Sequence, residues 1–105
     1  METDHIVILT TCPTMEEAVK IETDLLQRRL AACVQKDKIE SSYLWKGNLQ
    51  TATEVRLMIK TKQALFAAVE GAIRSGSSYD TPEVIALPMV AGSSDYLSWI
   101  DQVTA

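Results

Sequence analysis

The chain has 105 residues, of which 47% are hydrophobic and 23% are charged, and its formal net charge is −4. This composition excludes a disordered chain and fits one domain with its own core. Lysine and arginine are not clustered, so we expect no nucleic-acid surface. No apolar run is long enough to cross a membrane, and the polar start predicts no signal peptide. With only two cysteines, we predict a cytoplasmic protein.

The first third of the chain predicts a strand, a helix and the start of a second strand. His5–Cys12 is rich in β-branched apolar residues, as is typical of a central strand buried on both faces. Thr14 followed by Glu17 predicts a capping box at the start of a helix of about 15 residues. The apolar side of that helix is predicted to consist of Ala18, Ile21, Leu25 and Leu26.

Residues 43–61 predict the outer part of a long β-hairpin that turns at Lys46-Gly47-Asn48. The outgoing arm alternates: Val55, Leu57 and Ile59 face one way, and Glu54, Arg56, Met58 and Lys60 face the other. If residues 31–45 form one continuous incoming arm, the hairpin is longer than its helices can cover. Another chain must then bury its apolar tip, which consists of Tyr43, Leu44, Trp45 and Leu49. The alternative is a loop at 35–42 between two short strands.

The remaining residues predict a helix, an edge strand and a last helix. Thr61 is predicted to cap a helix over 62–75, which Gly76 terminates. A fourth strand is expected over 83–90, with Pro88 on an edge or at a bulge. The order β-α-β-β-α-β-α predicts a single α+β domain over residues 1–105. Its architecture is a ferredoxin-like sandwich of an antiparallel four-stranded sheet and two helices, with an extra C-terminal helix.

Five spaced motifs resemble those of the CutA family of divalent-cation tolerance proteins: Leu30-Ala31-Ala32-Cys33-Val34, Tyr43-Leu44-Trp45-Lys46-Gly47, the strand Glu54 to Thr61, Tyr79-Asp80-Thr81-Pro82-Glu83-Val84, and Tyr96-Leu97-Ser98-Trp99. The resemblance implies a ferredoxin-like fold assembled as a tight homotrimer through the hairpin. It also implies a link to tolerance of copper and other divalent metals, with no established catalysis.

One part of the family pattern is absent from this sequence. The family usually carries His-Pro before the tyrosine of the fourth motif, where this chain has Ser77 and Ser78. A cysteine discussed as a copper ligand in some relatives aligns with Thr10 here, and Cys12 follows two residues later. The donors left for a metal are Glu54 and Cys12. We therefore expect Cu(II) or another divalent cation to bind weakly or not at all.

Several candidate site residues have two interpretations. Glu54 and Lys60 could line a polar pocket between subunits with Tyr79 and Glu83, or they could form a solvated face or an intersubunit salt bridge. Tyr43 and Trp45 could stack on a ligand or anchor the trimer. Cys12 could be a reactive thiol at a helix N-terminus or an inert strand residue, and the lack of a neighbouring histidine favours the second.

Three functions compete for this fold. The first is a non-enzymatic trimer in metal tolerance, whose partner protein is unknown. The second is a small-ligand sensor similar to PII signalling proteins, which carry a long loop where this chain has only Lys46-Gly47-Asn48. The third is an acylphosphatase-like hydrolase, which needs an arginine-bearing phosphate loop after the first strand. Residues 10–14 contain no arginine, which argues against the third.

Overall fold

A computed structural model describes residues 4–105. Its elements in chain order are β1 (His5–Cys12), α1 (Met15–Gln27), β2 (Cys33–Trp45), β3 (Asn48–Lys62), a 3₁₀ turn (Gln63–Leu65), α2 (Phe66–Gly76), β4 (Ile85–Pro88) and α3 (Ser94–Val103). The strands form one antiparallel sheet in the order β2-β3-β1-β4. The predicted ferredoxin-like α+β fold with an extra C-terminal helix is confirmed.

Helix α1 begins and ends with well-formed caps. The Thr14 hydroxyl accepts a hydrogen bond from the Glu17 amide at 3.2 Å, as the sequence predicts. At the other end Arg29 takes the left-handed conformation with φ 57°, and the Leu30 amide donates back to Leu25 at 2.9 Å. Ala18, Ile21 and Leu25 are buried, but Leu26 is exposed. Leu26 directly follows Leu25 and so points about 100° away from the buried stripe.

The hydrophobic core lies between α1, α2 and one face of the sheet. Val55, Leu57 and Ile59 all belong to it, which confirms the alternation predicted for β3. The prediction that β1 is buried on both faces is wrong for three of its eight residues. Ile6 and Ile8 are buried under the helices, whereas alternate residues facing the other way remain partly exposed. We call this second, partly covered side of the sheet the open face.

Two features predicted for α2 are wrong. Thr61 remains in β3, where its hydroxyl donates to the Leu30 carbonyl at 2.6 Å, and α2 begins only after the 3₁₀ turn without a side-chain cap. Gly76 is the last residue of the helix and not a residue beyond it. An added Cβ at Gly76 would lie 2.7 Å from Cγ1 of Ile21, so the glycine permits close approach of α1 and α2.

The last two elements complete the sheet edge and its open face. Strand β4 has four residues, Ile85–Pro88, and is shorter than the predicted 83–90. It is an edge strand, as Pro88 predicts, because it pairs only with β1. Ser93 caps α3 by accepting from the Tyr96 amide. Ile100 of this helix is fully buried.

The β2–β3 hairpin is continuous, so the alternative of a loop at 35–42 is excluded. Its strands have 13 and 15 residues and are joined by Lys46 and Gly47, both with positive φ. Strand β1 ends opposite Val55, and residues 39–45 and 48–54 therefore project beyond it. The projection lengthens the chain to 45 Å along its longest axis and gives a radius of gyration of 14.3 Å. A chain of this size is ordinarily closer to about 13 Å.

Candidate functional site

A cleft of about 670 Å³ lies on the open face at the base of the projecting hairpin. One wall is formed by the hairpin and the end of β1, and the other by the loop that joins α2 to β4. The lining residues are Thr11, Ser41, Ser42, Tyr43, Trp45, Glu54, Ser78, Tyr79, Asp80, Thr81 and Glu83. This volume is within the range of about 300 to 1,000 Å³ that is usual for small-molecule sites.

Strand periodicity places several of the hairpin side chains on one face. Ser41, Tyr43 and Trp45 alternate along β2 and therefore share one face. Ile39, on that same face of β2, is paired with Glu54 of β3. The intervening Leu44 points the other way, opposite Leu49. The hairpin tip thus has an aromatic face toward the cleft and a leucine face away from it.

Glu54 and Tyr79 form the most buried polar contact of the cleft. The Tyr79 hydroxyl donates to Oε2 of Glu54 at 2.6 Å, and Glu54 is only 7% exposed. Burial acts to raise the pKa of Glu54, but hydrogen bonds from Tyr79, Ser41 and Thr11 outweigh it and leave this pKa below its ordinary value. Burial and the bond to Glu54 raise the pKa of Tyr79. At neutral pH the pair is therefore a carboxylate bound by a protonated phenol.

The cleft is negatively charged. Three of its lining residues, Glu54, Asp80 and Glu83, carry carboxylates, and none of the described residues that line it is lysine, arginine or histidine. The guanidinium of Arg56, which also faces the open side of β3, is engaged by Asp37 at 3.1 and 2.8 Å. The cleft therefore presents carboxylates, hydroxyls and two aromatic side chains to whatever enters it.

Five of the six residues predicted for a pocket line this cleft: Tyr43, Trp45, Glu54, Tyr79 and Glu83. Lys60 does not. It lies six positions from Glu54 along β3, and its Nζ is 5.6 Å from the ring centroid of Tyr96 in α3. Sequence reasoning missed Thr11 and Ser41, whose positions depend on strand pairing, and also Asp80, whose place next to Tyr79 was a usable signal.

Cys12 lies on the core side of β1 and does not line the cleft. Its side chain is fully buried, and burial, followed by the charges of Glu17 and Glu54, raises the pKa of its thiol to about 11. The geometry therefore opposes the reactive-thiol alternative. Cys33 is half-buried, and both cysteines are free.

The donors among the described residues do not fit a tight copper site. Copper favours imidazole and thiolate ligands, but the Cys12 thiol is protonated at neutral pH and His5 contacts Asp101 at 2.9 Å. Within residues 4–105, no group of three or more His, Cys, Asp or Glu side chains is placed to hold a metal ion. Glu54 alone of the predicted donors lines the cleft.

The fold and the cleft are those of a small α+β protein, and comparison with known proteins gives its family. The family model described as CutA1 divalent ion tolerance protein matches residues 6–103. The chain belongs to this family.

Curated relatives bear CutA names. The chain is 39% identical over 98 residues to the divalent-cation tolerance protein CutA of Archaeoglobus fulgidus, covering 93% of this chain and 96% of that one. It is 43% identical over 95 residues to the human protein CutA, covering 90% of this chain and 53% of the human one. The chain thus spans nearly the whole archaeal relative and about half the length of the plant and mammalian relatives it matches.

Solved structures show the same fold. The Archaeoglobus fulgidus structure, described as a periplasmic divalent cation tolerance protein CutA, has a TM-score of 0.93 at 38% identity and covers 94% of this chain and 97% of its own. The CutA1 structure from Shewanella sp. SIB1 has a TM-score of 0.95 at 35% identity, with coverage of 99% and 98%. Among residues 4–105 there is no helix long and apolar enough to cross a membrane.

Proposed function

We propose that the protein works as a non-enzymatic homotrimer in tolerance of divalent metals, with copper itself bound weakly or not at all. The observation that carries the assembly is the projecting hairpin. Its tip exposes 74% of Leu44 and 74% of Leu49, which are paired directly opposite each other. Burying a leucine side chain stabilises by roughly 1.5 to 3 kcal/mol, so a second chain gains substantially by covering this pair.

The open face of the sheet supports the same assembly. Ile85 and Leu87 on β4 are each 47% exposed, and their partners Leu9 and Val7 on β1 are only partly covered. Strand β4 is also a sheet edge, because β1 is its one neighbour in the described sheet, and an edge strand can pair with another chain. An apolar surface of this kind beside an unpaired edge is suited to contact with further copies of the chain.

The proposed role follows from the family and from the chemistry of the chain together. Relatives are named for divalent-cation tolerance. Of the two predicted metal donors only Glu54 lines the cleft, because Cys12 lies protonated within the core. We therefore propose that the cleft of each chain, formed by Tyr43, Trp45, Glu54, Tyr79 and Glu83, is the binding site of the assembly.

The cytoplasm is the compartment we propose. Two free cysteines support a reducing environment. One relative is described as periplasmic and another as chloroplastic, so fractionation of the host cell is the direct test.

The PII-like alternative requires a long effector loop between the second and third strands. Here Trp45 and Asn48 are paired and only Lys46 and Gly47 separate them. No observation therefore favours that function over the first.

Deleting the gene in its host tests the biological role. We expect slower growth across graded copper(II), and recovery when the wild-type gene is restored. Unchanged growth at every copper concentration would contradict a role in tolerance of this metal.

Titration of the purified protein with copper(II) tests the metal chemistry separately. We expect no tight stoichiometric uptake by calorimetry, because the available donors do not fit copper. Tight binding of one ion per chain that the Glu54→Gln variant abolishes would show that the cleft is a metal site after all.

A further inference from the structure

We propose that the cleft binds an aliphatic di- or triamine, that is, an extended organic cation with separated ammonium groups. This inference rests on the proposed role of the cleft and names the chemical class of its ligand. It is drawn from the arrangement of charge, the aromatic faces and the placement of the acidic side chains.

The negative charge of the cleft favours a cationic ligand. Glu54, Asp80 and Glu83 give the lining three carboxylates, and the described residues that line it provide no cationic side chain. Arg56, on the open face of β3, is engaged by both carboxylate oxygens of Asp37 and also interacts with Glu83, so its single positive charge is shared between two carboxylates. The chain as a whole carries a net charge of −4. A cation is therefore attracted to the cleft, and an anion is repelled.

The placement of the acidic side chains favours an extended cation over a metal ion. The three carboxylates line one cavity of about 670 Å³, yet among residues 4–105 no three His, Cys, Asp or Glu side chains are placed to share one ion. A divalent metal needs converging oxygen or nitrogen donors at about 2 to 2.6 Å. Ammonium groups joined by methylene chains can instead pair with carboxylates that do not converge on one point.

The aromatic side chains suit the remainder of such a ligand. Tyr43 and Trp45 are 43% and 44% exposed and stand on the cleft face of the hairpin. Aromatic faces attract ammonium groups and pack against methylene chains. The surrounding hydroxyls of Thr11, Ser41 and Ser78 can accept the remaining ammonium hydrogens. A small inorganic cation has no methylene chain that could pack against Tyr43 and Trp45.

The test is a calorimetric titration of the full protein with spermidine, repeated with 1,5-pentanediol, an uncharged chain with hydroxyl ends. We expect saturable binding of spermidine that weakens as salt is raised, and no binding of the diol. Glu83→Gln and Asp80→Asn should each weaken the affinity for spermidine by roughly tenfold, because each removes one charge-assisted hydrogen bond. Both residues are exposed, so the variants should fold.

Asp101→Asn is the matched control. Its carboxylate is on α3, contacts His5 and does not line the cleft, so spermidine should bind this variant as it binds the wild type. The proposal is overturned if spermidine gives no saturable heat, if the diol binds equally well, or if Glu83→Gln and Asp80→Asn both bind like Asp101→Asn. A trimer that tolerates copper in the cell but fails this titration would refute the ligand class and leave the proposed function standing.

Discussion

Tyr79 and Glu54 show how a buried charge is maintained in the wall of the cleft. The Glu54 pKa is lower in the folded chain than in the unfolded chain, because hydrogen bonds from Tyr79, Ser41 and Thr11 outweigh burial. The carboxylate therefore stabilises the fold fully above the unfolded pKa, and this contribution is lost as the pH falls through the folded pKa. Protonation of Glu54 would therefore both lower the stability of the fold and remove one negative charge from the cleft.

Replacing Tyr79 with phenylalanine removes one of those donors and leaves a buried carboxylate less well bound. We expect Tyr79→Phe to lower the free energy of unfolding at neutral pH by about 1 to 3 kcal/mol. The loss should shrink in acid, where Glu54 is protonated in both proteins. Chemical denaturation at several pH values measures this, and a loss that is the same at every pH would contradict the role assigned to the bond.

The Cys12 thiol provides a second prediction, about reactivity. It is fully buried and its pKa is raised to about 11, so little thiolate is present at neutral pH. In a Cys33→Ser variant, we expect a thiol reagent to label nothing in the folded protein and one thiol per chain after denaturation. Rapid labelling of the folded variant near pH 7 would show that Cys12 is accessible and ionised.

Helices α1 and α2 pack so closely at Gly76 that an added Cβ would clash with Ile21. A Cβ there lies 2.7 Å from Cγ1 of Ile21, and we expect Gly76→Ala to destabilise the protein by about 1 to 3 kcal/mol. Gly71 in the same helix is the matched control, because a Cβ there meets nothing within 4 Å. Gly71→Ala should stabilise by up to about 1 kcal/mol through helix propensity. Thermal unfolding at one fixed protein concentration measures both, and equal effects would contradict the packing argument.

Strand periodicity explains why so much of the sheet could be predicted from sequence. The alternation of Val55, Leu57 and Ile59 gives β3 its buried face directly, and the same arithmetic places Tyr43 and Trp45 on one side of β2. Local capping was predictable too, since Thr14 and the Glu17 amide are only three residues apart.

Other features depend on partners that are distant in the chain. Thr61 resembles a helix cap, but its hydroxyl donates to the carbonyl of Leu30, 31 positions away. Gly76 resembles a helix terminator, but its neighbour is Ile21 of another helix. Lys60 shares a face with Glu54, yet the two lie six positions apart on the strand, a distance of about 20 Å. The sequence predicts on which face of a strand a side chain lies, whereas its contacts with residues distant in the chain follow only from the fold.

The molecule as a whole consists of a sheet with helices α1 and α2 on one face and a β2–β3 hairpin that projects beyond them. Helices α1 and α2 bury one face of the sheet, while the hairpin projects past the end of β1 and carries Leu44 and Leu49 on the side away from the cleft. This division allows the leucine face to contact another chain while the aromatic face lines the cleft.

The mass of the intact protein by native mass spectrometry tests the proposed assembly most directly, comparing the wild type with a Leu44→Asp, Leu49→Asp variant. We expect three chains for the wild type and predominantly single chains for the variant, because two carboxylates per chain would have to be buried in the contact. Val19→Asp, a change at an exposed apolar residue of α1, is the control and should retain three chains. A wild type of single chains, or a double variant that assembles as well as the wild type, would contradict the account.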